Sequence, residues 1–117
     1  MREFIVNGKT IPIGRLGENE STVIIFDVKD YEQLFGQGVF ELLHQRKGDT
    51  QPYPCVIQHV NDTVRWIVKD ADVSVQGYGR CELIYVVNDV IAKSEIFTTV
   101  TGEALQGGTE PPEPYED

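Results

Sequence analysis

The chain has 117 residues and a formal charge of −9, with 19 acidic side chains against 10 Lys and Arg. That length is one domain built around one core. An acidic body with scattered cations has no basic patch to release phosphate counterions, which argues against a nucleic-acid partner, and no window approaches the roughly 20 apolar residues that cross a bilayer, so no membrane insertion is expected.

Arg2 to Val6 and Lys9 to Ile13 flank Asn7-Gly8, the strongest short hairpin signal, so the chain is expected to open with a two-stranded ribbon. Leu16 to Glu20 follows as a polar loop. Ser21 to Val28, STVIIFDV, is β-branched and apolar on both parities in its middle, as a strand buried between layers would be. Asp30 to Gly36, DYEQLFG, has a capping residue, an acid in its first turn and a terminal glycine, and predicts a helix of one or two turns bridging two strands. Val39 to Gln45 predicts the next strand, closed by Lys47-Gly48-Asp49.

Tyr53 to Val100 then holds two hairpins, YPCVIQHV-ND-TVRWIVK and GRCELIYVV-ND-VIAKSEIFTTV, both turning on Asn-Asp. These residues tolerate the left-handed backbone of a two-residue loop, and that loop length fixes the register. In the first hairpin it sets Cys55, Ile57 and His59 on the apolar face with Val68, Trp66 and Val64, and Gln58 opposite Arg65 outside. In the second it sets Cys81, Leu83, Tyr85 and Val87 inside with Ile96, Ser94, Ala92 and Val90, and Glu82 opposite Glu95 outside. Between the hairpins, DADVSVQGYG suits a crossing from one sheet to another. Seven or eight short strands with turn signals about every 8–12 residues predict an all-β fold, an antiparallel immunoglobulin-like β-sandwich with one short helical turn, over residues 1–101. Residues 102–117 hold five acids and no Lys or Arg, leaving the body at −4. Rich in Gly, Pro and Glu, they read as a linker or disordered tail, from which we expect the native protein to continue past Asp117.

Two histidines limit the chemistry available. His44, Cys55 and His59 are the only set with zinc-ligand character, and they lack a fourth ligand or a recurring spacing, so no metal is expected. Cys55 and Cys81 fall on apolar faces and read as buried thiols, with a disulfide left open if their strands pack close. The Cys-Trp-Cys order is that of an immunoglobulin domain, but a separation of 26 residues is far below that family's inter-sheet span. Asp27, Asp30, Asp70 and Asp72 lie at strand ends, where carboxylates cap turns. Gly36-Gln-Gly38 and Gly77-Tyr-Gly79 lead into strands rather than helix N-termini, and Ser21, Ser74 and Ser94 have neither an elbow sequence nor a base. No enzyme activity and no cofactor are expected. Tyr31, Phe35, Tyr53, Tyr78 and Trp66 could form a sugar-stacking platform, which keeps a carbohydrate-binding module for a cell-surface glycan as the alternative.

The succession VIIFDV, DYEQLFG, FELLHQRKGDTQPYP and HVNDTVRWIVKDADVSVQGYGRCELIYVVNDVIAKSEIF resembles the N-terminal domain of upper baseplate proteins from tailed phages and prophages of Gram-positive bacteria. The most telling pieces are Gln45-Arg46-x-Gly48-Asp49-x-x-Pro52-Tyr53-Pro54, Trp66 followed by the Asp72 to Gly79 corner, Gly79-x-Cys81-Glu82-Leu83-x-Tyr85, and Lys93-Ser94, within a likeness running from Ile5 to Thr101. The resemblance implies a virion structural part, made in the bacterial cytoplasm, that fixes a receptor-binding or fibre-like component to the tail tip. Its implied partners are other tail and baseplate proteins, with homo-oligomerisation through a C-terminal region outside this chain. It implies no catalytic residues, and both thiols free. A docking module needs an exposed sheet edge or an apolar patch. The candidates are the opening ribbon Arg2 to Ile13 and the interface residues Tyr31 and Phe35.

Overall fold

The structure, a computed structural model, describes residues 1–103. The expected linker at 102–117 lies almost wholly outside the described residues. Among the described residues nine strands form two facing sheets: β1 (Arg2–Ile5), β3 (Thr22–Asp27), β7 (Thr63–Ile67) and β6 (Ile57–Val60) in one, and β2 (Thr10–Arg15), β9 (Val90–Gly102), β8 (Gly77–Val87), β4 (Val39–Gln45) and β5 (Tyr53–Pro54) in the other. In these orders β1-β3-β7-β6 follows the ABED sheet of an immunoglobulin sandwich and β9-β8-β4 its GFC sheet, with β2 added beside β9 and β5 beside β4. A helix, α1 (Tyr31–Phe35), bridges β3 and β4, and a 3-10 turn, Asp70–Val73, carries the chain from β7 to β8. Both crossings fall where the sequence places them.

The core lies between the sheets. β3 is buried from Thr22 to Phe26, as its two-parity apolar run requires, and Trp66, Val64, Ile24, Ile11 and Ile13 are fully enclosed. On β4 the inward parity is Phe40, Leu42 and His44.

Three expectations are corrected. The N-terminal ribbon does not form. Asn7-Gly8 turns the chain, with Gly8 at φ +97°, but β1 pairs parallel with β3 and β2 pairs parallel with β9, so the two arms cap opposite sheets. A free ribbon would leave Ile11 and Ile13 without a second layer, whereas splitting buries them completely. The sandwich is therefore antiparallel from β3 to β9 and parallel at its two N-terminal strands. The Tyr53 to Val60 strand is likewise divided. Pro54 has no N–H to continue a ladder, and the next two residues belong to different sheets: the Cys55 N–H donates to the Leu42 carbonyl, while the Val56 carbonyl accepts from Ile67.

The third correction is register. The first hairpin pairs as expected, with Ile57 against Trp66, Gln58 against Arg65 and His59 against Val64. In the second, Asn88 and Asp89 both take positive φ, and Val87 pairs with Val90, but a bulge at Ala92 shifts every later pair by one. Cys81 faces Phe97 rather than Ile96, Glu82 faces Ile96, and Glu95 faces Leu83. The bulge turns Ser94 and Ile96 outward and Phe97, Thr99 and Thr101 inward. Phe97 then meets Phe26 of the opposite sheet at a ring separation of 5.3 Å.

This register makes a direct prediction. Phe97→Ala should destabilise the fold by about 3–5 kcal/mol, and Ile96→Ala by less than about 1 kcal/mol. Urea denaturation of the two variants gives the reverse order if the strand lacks the bulge.

Candidate functional site

The quoted motifs meet at one place inside the sandwich. The 3-10 turn aims the Asp72 side chain into the core beneath Trp66, where it is buried. One carboxylate oxygen, Oδ2, accepts from Trp66 Nε1–H at 3.2 Å and from the Lys69 backbone N–H at 2.8 Å. The other, Oδ1, accepts a short hydrogen bond from the Tyr53 hydroxyl and a longer one from the Cys55 thiol at 3.9 Å, with His44 Nδ1 at 3.5 Å. Because Tyr53 donates to Asp72, its oxygen is left to receive His44 Nδ1–H at 3.0 Å, and the far nitrogen of the ring, Nε2, meets Thr99 Oγ1 at 3.0 Å. His44 is buried by β4 parity, and its ring stands edge-on to Trp66 at 5.2 Å.

Arg46 holds this arrangement from outside. Its guanidinium grips Asp49 through both carboxylate oxygens at 2.8 and 3.0 Å, lies 5.0 Å over the Tyr53 ring, and donates to the Ala71 carbonyl and to Ser74 Oγ. The Gln45 to Pro54 motif thus fastens the loop before β5 to the Asp72 turn. Gly79 permits the same approach from β8, since a Cβ there would come within 2.6 Å of the Gln45 carbonyl oxygen.

Burial pushes the Asp72 carboxyl up, but hydrogen bonding from His44, the Lys69 N–H and Tyr53 outweighs it and holds the group below the usual carboxylate range. Burial and the adjacent carboxylate push the Tyr53 hydroxyl and the Cys55 thiol well above their ordinary values, and burial pushes Cys81 up to about 12. Both cysteines are free thiols. Asp49 is held low by Arg46.

Of the zinc-type set, His44 and Cys55 come together and His59 does not. β6 is an outer strand, so His59 is exposed, with its ring edge-on to Phe40 at 4.9 Å. Its place is taken by Asp72. Sequence reasoning took Asp72 as a turn cap, which it is through Lys69, and missed that the same carboxylate points inward. Asp27 and Asp70 do cap local backbone, at Lys29 N and Ala71 N.

The surface candidates lie at the end of the sandwich marked by α1 and the β8–β9 turn. Tyr31 is half-buried, packed against Phe40 and Tyr85, with Lys93 Nζ 4.9 Å over its ring. Phe35 stands at the rim of the same cluster, 6.0 Å from Tyr31. The most open apolar groups here are others: Leu34 is 69% exposed, Val39 66%, Val90 65% and Ile91 60%. Val39, Val86 and Ile91 are register neighbours across β4, β8 and β9, so they form one apolar row. The two-residue loop already pairs Val86 with Ile91, but sequence reasoning missed the row because Val39 joins it only through the pairing of β4 with β8.

Comparison with protein-family models and with curated protein sequences gives no match to this chain.

The Asp72 hub carries two predictions. Asp72→Asn supplies one oxygen where two are needed and should cost about 3 kcal/mol, and Tyr53→Phe about 1–2 kcal/mol, by chemical denaturation. The native Asp72 carboxyl sits below its unfolded value of about 3.9, so its stabilisation is complete above that pH and is lost as the pH falls through the native value. The gap in stability between the parent chain and Asp72→Asn should accordingly narrow on acidification below about pH 4. A constant gap down to acid unfolding contradicts this account.

Proposed function

We propose that this domain is an assembly module of a phage tail, the N-terminal anchor of a baseplate protein, which attaches a receptor-binding or fibre-like component to the tail tip. The observation that carries the reading is a two-ended layout. β9 begins at Val90 beside the exposed row of Val39, Val86 and Ile91, and runs 13 residues to Gly102. At the rise of an extended strand that is about 40 Å. The apolar end is free to dock, and Gly102 lies at the opposite end of the same strand. Uncharged, contiguous apolar surface beside a rigid body is what a protein partner recognises. The resemblance of the quoted motifs to the baseplate family supports the same assignment.

A carbohydrate-binding module is the second reading, and one feature favours it. Tyr78 is exposed beside a groove of about 400 Å³ lined by Gln45, Arg46, Asp49 and Arg80, an aromatic face with fixed polar groups around it. The larger aromatic platform is not available to a sugar, because Trp66 is fully enclosed and Tyr53 is engaged with Asp72.

The two readings separate in one experiment. Sedimentation of the chain with candidate tail-tip subunits from the same gene cluster should show a stable complex, weakened at least tenfold by Leu34→Glu with Ile91→Glu and unaffected by Tyr78→Ala. Saturable glycan binding lost in Tyr78→Ala, with no subunit complex, transfers the assignment to the sugar-binding module.

A further inference from the structure

We propose that His44, Cys55 and Asp72, with the Tyr53 oxygen beside them, form a site for one divalent cation of the zinc class inside the sandwich. His44 Nδ1, Cys55 Sγ and an Asp72 carboxylate oxygen all lie within 4.8 Å of one another. Asp72 Oδ1 is the common centre, 3.5 Å from His44 Nδ1 and 3.9 Å from Cys55 Sγ. Tetrahedral zinc with bonds of about 2.0 Å to N and O and about 2.3 Å to S sets its donors roughly 3.3–3.6 Å apart. Both measured separations are within about half an ångström of that spacing. Tyr53 Oη, hydrogen-bonded to both Asp72 and His44, lies closer to the carboxylate than two ligands of one metal stand, so it borders the three donors and the fourth position is left to solvent.

The surroundings of these groups are those of a ligand set. Asp72 Oδ2 is held by Trp66 and the Lys69 N–H, which leaves Oδ1 as the oxygen turned to the other donors. His44 Nε2 faces Thr99 Oγ1, so a ring carrying its hydrogen on Nε2 donates to that hydroxyl and offers Nδ1 to a metal. Outer hydrogen bonds of this kind orient metal ligands and fix the histidine tautomer. Charge balance agrees. A dication taking Cys55 as thiolate and Asp72 as carboxylate makes a neutral buried centre, at the cost of one thiol proton released to solvent and a shift of the imidazole hydrogen from Nδ1 to Nε2. Cys55 and Tyr53 are only half-buried, so the site opens on their side, while His44 and Asp72 form its floor.

The test is titration of the reduced, metal-free 117-residue chain with Co²⁺ and then Zn²⁺. One equivalent of Co²⁺ should give a thiolate-to-cobalt charge-transfer band and intense tetrahedral d–d absorption, both removed by Zn²⁺. Cys55→Ser should abolish the charge-transfer band and weaken Zn²⁺ binding at least tenfold, whereas Cys81→Ala, which alters the buried thiol across from His44, should keep both. Independently of any variant, stoichiometric Zn²⁺ should slow alkylation of Cys55 in the native chain at least tenfold. Absence of the band in the reduced parent chain, its persistence in Cys55→Ser, or unchanged alkylation each overturns the proposal.

Discussion

Everything in the interior is arranged around the Asp72 carboxylate. An ion of this size loses several kcal/mol of hydration on burial, and only close hydrogen-bond donors repay that loss. Trp66 and Lys69 supply donors from β7 and its end, Tyr53 from β5, and His44 links the group to Thr99 on β9. The bonds therefore join both sheets. Each tolerates only a few tenths of an ångström, so together they fix how the sheets sit on one another, which a purely apolar interface determines less sharply. In an antibody domain the comparable position is held by a disulfide against a tryptophan. Here Cys81 lies on the strand equivalent to one end of that bridge, its thiol is free, and the polar hub replaces the covalent bond.

The sequence motifs around this hub are explained by what they touch. Arg46 and Asp49 form a closed pair that holds the Tyr53 ring in place and ties the loop to the 3-10 turn, so the two segments flanking β5 and β8 move as one body. The Arg46–Asp49 pair is partly exposed, and its Coulomb energy is correspondingly small. Its effect is positional: it keeps the Tyr53 hydroxyl aimed at Asp72.

How much of this could be read from the residues depended on whether one local rule decided the outcome. β3 and β4 were legible from burial parity and α1 from its terminal Gly36, whereas Asp30, expected as the helix cap, makes no side-chain capping bond. The first hairpin kept its register because its two-residue loop runs directly into β6 and β7, which pair without a bulge. The second lost it at Ala92, since Ile96 and Phe97 are both apolar and adjacent, and alternation alone cannot choose between them. Asn7-Gly8 correctly announced a turn, but the pairing of its arms was settled by which sheet could bury Ile11 and Ile13. Within the site, His44 was readable from its shared parity with Phe40 and Leu42. Asp72 was not, because the direction of its side chain is set by a single 3-10 turn.

The split N-terminus acquires a purpose when the two ends are considered together. β2 pairs with β9 from Thr98 to Gly102, the C-terminal stretch of that strand, and Thr99 within it bonds His44 of the hub. β8 pairs along the other side of β9 from Thr101 to Val90. A pull on the C-terminal end of β9, resisted at the apolar end, would load these ladders along their length, with many hydrogen bonds strained at once rather than one after another. A simple N-terminal hairpin would have left the exit end of β9 with one neighbour. By sending β2 across to the far sheet, the fold gives β9 a partner on each side from Thr98 to Thr101, and places the polar hub directly beneath it.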